Sequence, residues 1–413
     1  MLSNSLPALP NTDPIPIERV CRRTLIHTQD FADDPHSVYG WMRTQGPMVP
    51  VELAPGVPAT LVVRYHTAVR ILNDAERFPA DPRRWQHAMP AGCPIAPMVE
   101  YRPNALRSGG ADHTRYRGAN VDSLDAVDLF YLRGQVIEAA ETLLEGLCHR
   151  RDTHEKGHAD VVADYVRPLV STVLNRMLGC TDKVGADVAW ALARMFESTE
   201  HTEQVNTVLG RSLGGHIAAK KAVPGNDVTS RLIAHHADLD DVELINQLVT
   251  LYGAGIEPMT NLIANTLLLM FTDPRFVAGH DGFGVPIREA ITEIEVNDPP
   301  MANYCLSYPP AGLTVDGIWL PADQPVVISM AACNNDAAVT KGNGEYLQSG
   351  WGLAYSAGPH RCPTTAQDAA RLIAYEAIAQ FVDMLPDARP HGRPTWRPGP
   401  FHRALSAFPV RLH

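Results

Sequence analysis

The stretch Tyr355-Ser-Ala-Gly-Pro-His-Arg-Cys362-Pro-Thr364 leads straight into a helix-like run, Thr365 to Leu385. It places one cysteine on a Gly/Pro-bearing loop that feeds a helix N-terminus. Unpaired backbone N–H groups and the helix dipole favour negative charge there. Thiolates of lowered pKa occur at helix N-termini and beside cations, and His360 and Arg361 are immediate neighbours. Taken alone, the loop is compatible with an ordinary buried thiol or with a thiolate that ligates a metal.

Two further stretches bear on the choice. His113-Thr-Arg-Tyr-Arg117 puts His113 and Arg117 four residues apart, on one face of a helix. Such a pair serves either as a solvated charged face or as a cradle for a carboxylate through charge-assisted hydrogen bonds. Leu239–Thr272 is the longest helical pattern and is apolar over much of its surface through Leu244, Leu248, Leu251, Leu262, Leu267 and Met270. That breadth predicts a buried central helix. Midway along it lies Ala254-Gly-Ile-Glu-Pro-Met259.

In their order along the chain, the three stretches resemble the cytochrome P450 family over roughly Asp30 to the C-terminus. The family's cysteine loop reads Phe-Gly-x-Gly-x-His-x-Cys-x-Gly. Tyr355, Ser356, Gly358, His360, Cys362 and Thr364 stand at the specified positions. The resemblance implies a mainly α fold, a triangular helical prism with small β-sheets. It implies haem b (iron protoporphyrin IX) held by Cys362, with propionates bound by His113, Arg117 and His360 and the loop shaped by Tyr355 and Gly358. It also implies use of O2, with electrons from a ferredoxin and an NAD(P)H-dependent reductase. Arg115, Arg117, Arg361 and Arg371 are then expected to form a basic docking face.

The Ala254–Met259 stretch resembles the family's oxygen-binding groove, Ala/Gly-Gly-x-Asp/Glu-Thr-Thr. Ala254, Gly255 and Glu257 are the expected catalytic residues. Gly255 is expected to admit a flat ligand close to the backbone, and Glu257 to be the acid of the proton relay or a buried, paired acid. Pro258 replaces the family's threonine. It has no N–H, so the carbonyl of Ala254 loses its helical partner. Thr260 stands about 200° further round the helix and should face away.

Other departures are equally specific. The family's Glu-x-x-Arg before Asp298-Pro-Pro300 reads Glu293-Ile-Glu-Val296 here. The arginine that usually answers it near Asn334-Asn-Asp336 is not evident, and the neighbourhood of Ser307 is not basic. A buried acid deprived of its cation is costly, so Glu293 is expected to be solvated, protonated or bonded to backbone or water. Trp351-Gly, Glu257-Pro258 and the Pro after Cys362 resemble a bacterial subgroup found in natural-product pathways, including cross-linking of cyclic dipeptides.

Composition limits the alternatives. The chain has 413 residues and a net charge of −11, which argues against nucleic acid. Seven cysteines form no paired framework, consistent with a reduced, cytoplasmic setting. No apolar run reaches membrane-spanning length, and the N-terminus lacks a signal-peptide pattern. The expected organisation is one domain, 1–413, with a Pro-rich arm over 1–16, acting as a monomer.

The expected elements are helices at Asp34–Gln45, Tyr65–Asn73, Asp112–Leu124 (with Asp112 as N-cap), Leu129–Cys148, Asp160–Leu178, Val184–Glu200, Gln204–Lys221 and Ile287–Val296. Strands are expected at Pro50–Val63, Leu313–Leu320, Pro325–Ser329 and, as a pair, Phe401–Leu412. The substrate pocket is expected to face Gly253–Glu257. Its walls are expected from Arg84–Glu100, from Ala302–Ser307 including Asn303, and from Phe401. The expected activity is oxidation of a natural-product substrate, leaning to C–C or C–N coupling of an aromatic or cyclodipeptide-like molecule. Ordinary hydroxylation, peroxide-driven chemistry and a non-catalytic haem-binding partner are the alternatives.

Overall fold

The structure, a computed structural model, describes residues 13–153, 157–196, 202–277, 286–340 and 352–412. Helices dominate it, with small separate sheets. The central helix runs from Asp241 to Thr272, about 48 Å at 1.5 Å per residue. Its start is fixed by a capping box: the Asp240 side chain accepts from the Glu243 N–H, and the Glu243 side chain accepts from the Asp240 N–H. Leu244, Leu248, Ile263 and Leu267 are all essentially inaccessible, so the helix is wrapped by its neighbours. It continues through Pro258. Helices Arg167–Leu178, Ile287–Asn297 and Thr364–Met384 pack around it.

Helix Gly110–Asp125 carries the His113/Arg117 face. It starts two residues earlier than expected. Gly109 occupies the N-cap position without a side-chain bond, so Asp112 lies within the first turn, where its charge suits the dipole. The expected helix Asp160–Leu178 divides into a strand at His158–Asp160, a π-helical turn at Val161–Val166 and an α-helix from Arg167. Asp160 makes the break by accepting from the N–H groups of Val162 and Ala163.

The largest sheet has five strands in the order Thr24–Leu25, Met48–Ala54, Val57–Val62, Val326–Ser329, Asn303–Ser307. Met48–Ala54 and Val57–Val62 form an antiparallel hairpin, turned by Gly56 at φ +76°. Leu313–Val315 and Ile318–Leu320 form a second hairpin. Its turn is Asp316-Gly317, both at positive φ, so the expected single strand Leu313–Leu320 is itself a hairpin. Ile15–Pro16, the end of the N-terminal arm, adds a parallel strand to it. The C-terminal strands Leu405–Ala407 and Pro409–Arg411 do not pair with each other. The first pairs with Thr395–Trp396, the second with Arg389–Pro390 and His158–Asp160. Two apolar strands adjacent in sequence are read as a hairpin, but no turn separates these two. Among the described residues, no helix is long and apolar enough to cross a membrane.

Candidate active site

A cavity of about 400 Å³ lies between the central helix and the cysteine loop. Cys362, Tyr355, Ser356, His360 and Arg361 form one wall; Gly253, Ala254, Gly255, Pro258 and Met259 form the opposite one. The distant stretches singled out from sequence therefore meet in one place.

The cysteine loop is held by its own backbone. The Cys362 N–H donates to the Tyr355 carbonyl at 3.0 Å, and that of Arg361 to Gly358 at 3.1 Å. Gln367 of the following helix donates to the Cys362 carbonyl at 2.7 Å. Gly358 is required twice over: φ is +70°, and a Cβ there would lie 2.0 Å from the Leu72 carbonyl oxygen. Ser356 also adopts positive φ, +62°, where the family has glycine. A side chain in that region costs about 1–2 kcal/mol. Helix Thr364–Met384 begins directly after Pro363, without a side-chain cap. Burial nevertheless pushes the Cys362 thiol up to about 11, against the opposing pull of Arg117 and Arg361. The loop and helix terminus do not by themselves hold a thiolate, as the sequence suggested they would. A coordinated metal ion deprotonates a thiol outright.

His360 and Arg117 reach the cavity wall. The His113 ring packs 4.1 Å from that of His360. His113 Nε2 is buried and has no hydrogen-bond partner, an unusual state for a polar atom. Burial and the neighbouring positive groups lower both imidazoles, His360 to about 4. This corner gathers cationic and donor groups and leaves one buried nitrogen orphaned, which suits the carboxylates of a porphyrin. The thiol, this corner and the apolar walls fit an iron protoporphyrin ligated through Cys362.

The central helix departs from expectation in two ways. Glu257 is not on the cavity wall. Its buried carboxylate pairs with Arg397 from the C-terminal segment and accepts from Asn261 at 3.1 Å. A buried acid needs such a partner, and Arg397, 140 residues away, had no motif to announce it. Gly255 does line the cavity, but its missing Cβ makes room for a protein side chain. An added Cβ would lie 2.8 Å from a methyl group of Leu174, which also lines the cavity. Thr260 is buried and absent from the wall, with an unpartnered hydroxyl.

Of the expected pocket residues, Gly253 lines the cavity, whereas Asn303 and Phe401 stand behind the wall. Asn303 accepts from the Tyr39 hydroxyl at 2.9 Å and donates to the Pro400 carbonyl at 3.0 Å. Phe401 is fully buried, edge-on to Tyr304 at 5.5 Å. Tyr304, next to Asn303 on the same strand, is the one that reaches the cavity. Alternation separates Asn303 from Tyr304, but the register shifts after Tyr304, and Tyr304, Cys305, Leu306 and Ser307 all line the cavity.

The Glu-x-x-Arg departure is resolved by a different acid. Glu293 pairs with Arg275 at 2.6 Å, near the surface. Glu295 is the buried one, bonded to Arg371 and to the Tyr355 hydroxyl. Asn334 ties the same helix to the cysteine side. Its amide donates to the Val296 carbonyl at 3.1 Å, and its oxygen accepts from the Leu353 N–H at 2.7 Å. Trp351 lies outside the described residues. Of the four expected docking arginines, Arg115 is engaged by Glu243 and Arg371 by Glu295, Arg117 lines the cavity, and Arg361 is exposed.

No family model matches the chain. It is 26% identical over 397 residues to cytochrome P450 107B1 of Saccharopolyspora erythraea, covering 92% of this chain and 96% of that one. It is 25% identical over 402 residues to the cytochrome P450 monooxygenase PikC of Streptomyces venezuelae, covering 93% and 92%. Among solved structures, CYP154C4 from Streptomyces sp. W2061 superposes with a TM-score of 0.84 at 22% identity, over 96% of this chain and all of that one. The fold and the cysteine-walled cavity are those of a haem-thiolate oxidoreductase. The chain is similar over nearly its whole length to bacterial cytochrome P450s and shares the fold of their solved structures, which supports the cytochrome P450 family; members of that family bind haem iron and use O2 with external electron donors.

Proposed function

We propose that this P450 oxidises an apolar, aromatic or cyclodipeptide-like natural product in the cavity between Cys362 and Pro258. Its outcome is oxidative C–C or C–N coupling rather than simple hydroxylation. The carrying observation is Pro258 on the cavity wall, at the position of the family's hydroxyl residue. When bound, haem supplies O2 activation and one-electron oxidation. Cys362 is positioned to ligate the iron, and His113, Arg117 and His360 to hold the propionates. Leu174, Met259 and Leu262 keep the chamber apolar. Pro258 removes a hydroxyl donor and frees the Ala254 carbonyl, which can accept a hydrogen bond from water or from a substrate N–H or O–H. Arg397 holds the Glu257 side chain off the wall, away from the cavity as a proton donor. A substrate N–H or O–H that is itself oxidised meets that shortage. Electrons are proposed to come from a ferredoxin and its reductase.

Peroxide-driven chemistry is less well supported, because Glu257 stands where peroxide-using members carry a cation. The test is product analysis with ferredoxin, its reductase and a panel of aromatic cyclic dipeptides. Wild type should give coupled product, and Pro258→Thr should shift turnover toward hydroxylated product. Identical product ratios and rates in both would sink the coupling reading.

A further inference from the structure

Arg107 is 2% exposed and lines the cavity, in the loop between the short helix Ala96–Val99 and helix Gly110–Asp125. Its Nη2 donates to the Met98 carbonyl at 2.5 Å and to the Tyr304 hydroxyl at 2.7 Å. The guanidinium lies 5.4 Å from the centre of the Tyr304 ring. These partners are neutral. Among the described residues, no carboxylate lies within ion-pair distance of it. Even arginines less buried than Arg107 show the usual solution: Arg102 pairs with Glu100, Arg397 with Glu257 and Arg403 with Asp298.

A guanidinium cannot discharge by losing its proton, and an isolated buried charge is expensive. The counter-charge must come from what the cavity receives. The planar fork matches a carboxylate best. Arg107 also lies close enough to His360 for its charge to act on that imidazole, and it touches Tyr304 on the strand Asn303–Ser307, which supplies no basic residue of its own.

We propose that Arg107 is the counter-cation for a carboxylate brought into this cavity. The loop then supplies a positive charge that the adjacent strand lacks. The inference rests on the haem-thiolate reading, and the carboxylate has two possible sources: a haem propionate or an acidic substrate.

Haem transfer from holoprotein to excess apomyoglobin reads the first source. Spectral titration with decanoate against decanol reads the second. If the source is haem, Arg107→Gln should speed haem loss about tenfold or more, as expected for a lost charge-assisted bond, with Arg107→Lys in between. If the source is substrate, haem loss stays unchanged, and a wild-type preference for decanoate over decanol disappears in Arg107→Gln and persists in Arg107→Lys. Haem loss within about twofold of wild type, with no preference for decanoate removed by Arg107→Gln, overturns the inference. So does a Lys variant that behaves as Gln does, or failure of both variants to fold, since charge would not then be what the position requires. The reduced-CO band of each protein is read in parallel. A wild type without the thiolate band would sink the haem-thiolate reading itself, while a normal band with unchanged Arg107 variants sinks only this inference.

Discussion

Glu295 and Arg371 form a two-point ion pair, Nε to Oε1 and Nη2 to Oε2 both at 2.9 Å, that fastens helix Ile287–Asn297 to the helix following Cys362. The Tyr355 hydroxyl donates to the same carboxylate at 2.7 Å, and the Arg371 guanidinium lies 5.0 Å from the Tyr355 ring centre. The family's usual link to the later meander is replaced by a link to the cysteine loop itself. Hydrogen bonding to Glu295 raises the Arg371 guanidinium pKa, and burial does the same for the Tyr355 phenol.

Glu295→Gln should therefore lower stability by about 1–3 kcal/mol, less than a fully buried pair because Arg371 is half exposed. Glu293→Gln should change it by about 0.5 kcal/mol or less, as for a surface pair. Val296→Arg should not rescue either. Val296 is buried, and an unpaired cation there should cost about 2 kcal/mol or more. Thermal melts of the three variants check this. A larger loss from Glu293→Gln than from Glu295→Gln would return the structural role to the family's usual acid.

The contrast shows what the sequence could and could not carry. Glu293 and Glu295 are two residues apart, hence about 200° apart on a helix. Motif alignment selects the first, while burial selects the second. The cysteine loop, the His113/Arg117 face and the central helix were legible because each is local: a turn, an i,i+4 pair, an apolar period. Arg371 with Glu295, Arg397 with Glu257 and Arg107 with Tyr304 were not, because each joins segments far apart in sequence and no spacing rule links them. Asn303 and Phe401 were placed in the pocket by segment, and Tyr304, next to Asn303, reaches it instead.

Replacing both His113 and Arg117 by Ala should weaken haem retention and leave the helical fold intact. His113 carries an orphaned nitrogen rather than a bond that supports the helix. Haem transfer to apomyoglobin and far-UV circular dichroism measure the two effects. Unchanged haem occupancy after prolonged dialysis would remove these residues from the cofactor site.

Stability should fall as pH drops below about 6.5. Burial and Arg397 hold the His402 imidazole well below its usual range, and Arg397 Nε donates to its Nε2 at 3.1 Å. His216 is likewise lowered, mainly by burial. A depressed imidazole is neutral in the fold but protonated in the unfolded chain. Its contribution is full above the unfolded pKa and is lost as pH falls toward the folded one, with a slope of up to about 1.4 kcal/mol per pH unit per group. His402→Gln should reduce the drop in melting temperature between pH 7.5 and pH 5.5, whatever it does at pH 7.5. An undiminished drop would show that His402 titrates normally.

The central claim is that Cys362 ligates haem iron, and the reduced-CO absorbance band tests it most directly. Wild-type protein should show the band of thiolate-ligated haem, and Cys362→His should lose it while still binding haem. A thiolate band that survives in Cys362→His would place the ligand at another cysteine and contradict the account.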